Sequence, residues 1–182
     1  MNLFLQAAHW YVPAFLKKKE LTKLFNITAE TFGCTVPSLS DLSFKDSLVR
    51  YAQFTRTLAE KANTESSHLQ RIQNQLYQNA YELGSSYREL FHVSTLTEAM
   101  DACRILYRIL GIDFRSTADS TIEILTCSFS KYYSASTCQL ISFLDAGLMA
   151  GLSGGGKLIF SQRITEGFHC CRAEFMMEEE ER

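Results

Sequence analysis

Proline is nearly missing from this sequence. Pro13 and Pro37 are the only two in 182 residues, so no proline-rich linker divides the chain, and the length fits a single domain, 1–182. A basic stripe is missing as well. Net charge is -2, and the one basic run, Lys17-Lys18-Lys19, is followed at once by Glu20. It reads as a solvated helix end, and nucleic acid lacks the electrostatic footprint it needs. No apolar run approaches the roughly 20 residues of a membrane helix; the longest candidate, around Leu140 to Leu152, contains Asp145. The apolar N-terminus fails as a signal peptide, because its positive charges follow the apolar stretch and His9 and Pro13 interrupt it. Six cysteines in a chain this long do not make a disulfide scaffold. Free thiols in a reducing cytoplasm are the expectation.

What is present is amphipathic helix. Residues 2–18 read as helical with a kink near Pro13, and Asn26 to Phe32 as a short helix stopped by Gly33. Apolar residues then return at helical spacing over 43–64, 69–91 and 96–110. Thr95-x-x-Glu98 is a capping box opening the third of these. Beyond Phe114 the pattern changes. Thr121 to Phe129 reads as a strand, with Cys127 on the side of Leu125 and Phe129. A helix is expected over Ser136 to Ala150, then a glycine-rich break from Gly151 to Gly156. Lys157 to Ile164 and Phe168 to Met177 follow as two strands. The fold class is α+β: a helical N-terminal two-thirds (1–113 mostly helical) packed on a small antiparallel sheet, with a strand, helix and C-terminal β-hairpin over 120–177.

If Glu166 and Gly167 are the two turn residues, the hairpin register follows. Leu158, Phe160, Ile164, Cys171, Ala173 and Phe175 then share the core face. Arg163, Cys170, Arg172 and Glu174 share the other.

Several motifs admit a bland and a chemical reading. Gly151-x-x-x-x-Gly156-Lys157 imitates a phosphate-binding loop, but a helix precedes it, a strand follows, and Leu158 stands where a hydroxyl should bind magnesium. No cofactor is expected. Cys127, Cys138, Cys170 and Cys171 lack the paired spacing of a zinc knuckle, and no metal is expected. Cys138, Ser142, Asp145 and Met149 recur at steps of four, three and four. That stripe is either a cavity wall or a solvated face, and periodicity does not decide. His169 is read first as a surface histidine, and second as a base.

The series Cys127-x-Phe129, Cys138, Asp145, Lys157-Leu158-Ile159-Phe160 and Glu166-Gly167-Phe168-His169-Cys170-Cys171-Arg172-Ala173-Glu174-Phe175 resembles the C-terminal part of the L-2-amino-thiazoline-4-carboxylic acid hydrolase family. More distantly it is similar to 4-vinyl reductase-type small-molecule-binding domains. The likeness covers about residues 120–177. Ser128 stands where the first family often has proline, and Phe168 and His169 where it often has acidic residues.

The resemblance implies a pocket between helix and sheet and hydrolysis of a small cyclic amidine, a thiazoline carboxylate. In that reading Cys127 or Cys138 is the nucleophile, Asp145 handles the proton, and Arg163 holds a substrate carboxylate. The alternative is a non-catalytic small-molecule-binding or sensing domain. Its cavity is lined by Phe129, Tyr132, Tyr133, Phe160 and Phe175, with Ser142, Glu166, His169 and Cys171 as further ligand-binding candidates. Trp10, Tyr11 and Phe15 suggest a homodimer burying the N-terminal segment.

Overall fold

A computed structural model describes residues 12–64, 66–117 and 120–177. Among these, four helices precede a four-stranded antiparallel sheet and a fifth lies between its second and third strands in sequence. The first helix, α1 (Ala14–Phe32), is continuous where two shorter pieces are expected. Pro13 does not kink it. It stands immediately before the first turn, where a missing N–H costs nothing. The lysine run therefore sits near the start of α1. Gly33 closes the helix at φ 62°, with backbone bonds back to Ala29 and Glu30. Residues 2–11, including Trp10 and Tyr11, lie outside the described residues, as do Glu178 to Glu181.

The three periodic segments become α2 (Phe44–Thr64), α3 (Leu69–Leu90) and α4 (Leu96–Ile109). The Thr95 side chain caps the Glu98 amide at 3.2 Å, and Glu98 reaches back to Thr95, as a capping box requires. The next helix, α5 (Ala135–Ser153), is capped by Ser134, which accepts from the Thr137 amide at 3.1 Å. It extends through Gly151, so only Gly154 to Gly156 form the break. By length and composition alone α5 is long and apolar enough to cross a membrane. Yet 61% of its apolar window is buried inside the molecule.

Helices α3 and α5 lie in close contact. A Cβ on Gly147 would fall 2.1 Å from the Tyr77 carbonyl oxygen, and one on Gly151 2.1 Å from that of Tyr81. Gly151, one of the imagined phosphate-loop glycines, is there to let two backbones meet.

The sheet has the order β1-β2-β4-β3. Strand β1 (Ile112–Ser116) is not expected from the sequence: five residues, alternately buried, directly after a helix give too short a pattern. It pairs with β2 (Thr121–Cys127) through a bulge. Phe114 faces Ile124, but Ile112 faces Cys127, so β2 carries one extra residue. That residue reverses the alternation. Cys127 therefore sits on the core side with Ile122 and Ile124, and not with Leu125 as strict alternation predicts.

Strands β3 (Lys157–Gln162) and β4 (Cys171–Met176) make the hairpin. From Lys157 to Phe160 its register is the one expected: Leu158 faces Phe175, and Phe160 faces Ala173. At Ser161 a second bulge intervenes, and Gln162 faces Arg172 instead of Cys171. The connection is not a two-residue turn but a longer loop containing a 3-10 turn, Ile164–Glu166. This exchange of faces corrects two expectations. Arg163 turns toward α5, and Cys170 is only 1% exposed. The Gln162 amide donates to the Cys170 carbonyl at 3.2 Å and approaches its sulfur at 3.3 Å.

One core cluster joins α1, α2 and α4 to the sheet, and a smaller one joins α2, α3 and α5. Between them the packing is incomplete.

Candidate functional site

The incomplete packing is a central cavity of about 110 Å³. Leu24 and Ile27 of α1, Tyr51 of α2, Leu83 of α3 and Leu106 of α4 line the helical side. Ile124, Phe160 and Cys171 line the sheet side, and α5 crosses between with Cys138, Ile141, Ser142, Leu144, Asp145 and Leu148. Three residues of the α5 stripe, Cys138, Ser142 and Asp145, therefore form cavity wall and Met149 is buried core, while Leu140 and Leu144 join the cluster with α3. Both sides of this helix are covered, which is why its hydrophobic pattern did not distinguish them.

The structure brings together Cys127, Phe129, Tyr133, Cys138, Ser142, Asp145, Phe160 and Cys171 around one space. Four other candidates lie off its wall. Tyr132 packs on the core edge with Lys131 over its ring at 5.0 Å. Glu166 is exposed and accepts from the Gln139 amide at 3.1 Å. His169 is exposed. Phe175 is filled core beneath the hairpin. Arg163 is also absent from the wall, but its guanidinium stacks 4.5 Å above the Phe160 ring and reaches Ser142 Oγ at 3.4 Å.

The aromatic floor is built by contact. Phe129 stacks on Tyr133 at 5.8 Å and meets Tyr51 edge-on at 5.8 Å. The two tyrosine hydroxyls are satisfied by helix threonines: Tyr133 with Thr55 at 2.5 Å, Tyr51 with Thr28 at 3.1 Å. A residue that sequence reasoning missed is Tyr107 of α4. Its hydroxyl donates to Asp145 Oδ1 at 2.6 Å. The only advance signal was a tyrosine within the apolar stripe of α4.

Burial dominates the electrostatics. It holds the Asp145 carboxyl up at about 6; the Tyr107 hydrogen bond and Arg163 pull the other way. Burial pushes the Cys127 thiol up to about 12, with Asp145 adding repulsion and the amides of Phe129 and Ser130 opposing. Cys138 is pushed up to about 11 by burial and by Asp145, eased by Thr165 and Arg163. Cys171 is raised for the same first reason. All six cysteines are free, and those facing the cavity are thiols at neutral pH. Among the described residues, no group of three His, Cys, Asp or Glu side chains is arranged to hold a metal ion. The arrangement is suited to enclosing an apolar body beside one carboxyl group.

No family model and no curated protein matches the sequence. Among solved structures, the fold is similar to that of a trafficking protein particle complex subunit 3 from Naegleria fowleri, covalently bound to palmitic acid. The TM-score is 0.51 at 12% identity, over 74% of this chain and 97% of that one. At that identity the likeness is one of fold.

Proposed function

We propose that this protein is a small-molecule-binding domain whose central cavity takes an elongated apolar ligand of the acyl-chain type. The observation that carries the reading is the cavity itself, lined mainly by Leu, Ile and aromatic side chains and supplied with few polar groups. A protein of similar fold holds palmitic acid, and each methylene taken from water into such a space is worth about 0.8 kcal/mol.

The hydrolytic reading draws on the same geometry, since Cys127, Cys138 and Asp145 share one wall. What weighs against it is the state of the thiols. A nucleophile must be a thiolate, and burial beside a carboxylate keeps both sulfurs protonated.

The test is thermal unfolding with and without hexadecanoate or a neutral long-chain alcohol, on the wild type and on Leu83→Phe, which fills the cavity from α3. The wild type is expected to be stabilised by ligand. At a hundredfold excess over Kd the gain is about 2.7 kcal/mol. Leu83→Phe should melt no lower than the wild type and lose that response. Wild-type turnover of a thiazoline carboxylate, with no stabilisation by any long-chain probe, would instead favour the hydrolase.

A further inference from the structure

We infer that the ligand of the central cavity is an apolar carboxylate, its head group held by Arg163 and Thr165; this rests on the binding reading above. Two buried polar atoms are without a hydrogen-bond partner: Thr165 Oγ1, of a residue on the cavity wall, and Arg163 Nε, whose guanidinium packs against the cavity-lining Ser142 and Phe160. Buried donors are almost always paired, and an unpaired one costs about 1–3 kcal/mol. Two orphans in adjoining segments of one loop mark a place where something with acceptor oxygens belongs.

The rest of the guanidinium is already fixed. Its other nitrogens face Glu166 at 3.5 Å and Ser142 Oγ at 3.4 Å, and Phe160 supports its plane from below. Only Nε is left over. Ser142 cannot be the missing acceptor's rival donor, because its own proton goes to the Gln139 carbonyl at 2.8 Å. Thr165 lines the cavity, and its hydroxyl comes close enough to the Cys138 thiol to ease it, a weak contact that leaves Oγ1 without a full hydrogen bond. A thiol is a weak acceptor in any case.

The missing group must therefore accept from a guanidinium N–H and a hydroxyl at once, and be attached to a body that fits among Phe160, Ile141 and Ile164. A carboxylate does both, since its two oxygens offer about four lone-pair sites to a cation and a neutral donor together. An alcohol offers one oxygen and no charge. A cationic head would face Arg163 itself.

The chemistry also limits what Asp145 does. It already accepts from the Tyr107 hydroxyl at 2.6 Å. Arg163 already acts on Asp145 across that space.

The experiment compares hexadecanoate, hexadecanol and methyl hexadecanoate by isothermal titration on the full chain. Hexadecanoate is expected to bind about tenfold tighter than the other two, the worth of one charge-assisted hydrogen bond. Arg163→Met should abolish that preference while leaving the neutral probes unaffected, and Thr165→Val should reduce it several-fold. Should Arg163→Met fail to fold, Arg163→Lys, which keeps the charge but loses the Nε donor, carries the comparison with Thr165→Val. If all three probes bind alike to the wild type, the head-group assignment is wrong and the binding reading stands. If none binds, both fall. An added acyl mass that survives denaturation and is released by hydroxylamine would also overturn the assignment, because a thioester has no carboxylate to present.

Discussion

Asp145 sits in a wall of leucines and isoleucines, with Tyr107 donating to one oxygen. Its pKa in the folded chain, about 6, lies above the ordinary 3.8. A carboxyl raised on folding takes up its proton more readily in the folded state. Its contribution to stability is therefore full below about 3.8 and is lost as pH rises through about 6. Asp145→Asn should flatten that part of the profile and raise stability above about pH 7 by roughly 1–3 kcal/mol. Urea midpoints across that range would check it, and an unaltered slope would locate the proton elsewhere. The thiols give a second residue-scale expectation. Cys34 is exposed while Cys103, Cys170 and Cys171 are buried and Cys127 and Cys138 face the cavity. Iodoacetamide at mildly alkaline pH should add one label, at Cys34, to the native chain and six in denaturant. Fast labelling of Cys138 in the native chain would show a thiolate where burial leaves none.

The α3–α5 contact is where an element-scale change would be felt most. Gly147→Ala or Gly151→Ala would drive a methyl group into a carbonyl of α3, and backbone cannot rotate away as a side chain can. Each is expected to cost about 1–3 kcal/mol, in spite of alanine's better helix propensity. A guanidinium chloride midpoint that rises would refute the close contact. The elements themselves were largely legible in the sequence. Helices α2, α3 and α4 each bury one stripe, so their periodicity is clean, and the hairpin alternates. What was not legible has a common cause, one-residue irregularity. The bulge in β2 turns Cys127 inward and the bulge at Ser161 turns Arg163 inward. Neither leaves a mark in composition. Proline at the start of α1 reads as a breaker when it is an opener, and α5, covered on both sides, has no period to read. The site was legible as a gathering of residue types, while its far wall, from Leu24 to Tyr107, comes from helices whose pattern announces only core.

At the scale of the whole molecule, the N-terminal segment bears on assembly. Phe15, on the first turn of α1, is 70% exposed. A homodimer formed through this end predicts a light-scattering mass of twice the 20.7 kDa chain, reduced toward that of one chain by Phe15→Ser. A single-chain mass at every concentration would dispose of it. The central cavity has a mechanical side as well. Space enclosed by side chains and not filled by them vanishes when the chain unfolds into water, so the unfolded state occupies the smaller volume. Compression therefore opposes this fold more than one without such a void. Hydrostatic pressure should unfold the empty protein readily and the occupied one reluctantly. The difference in volume change reports how much of the space a ligand fills, with no need to know what the ligand is.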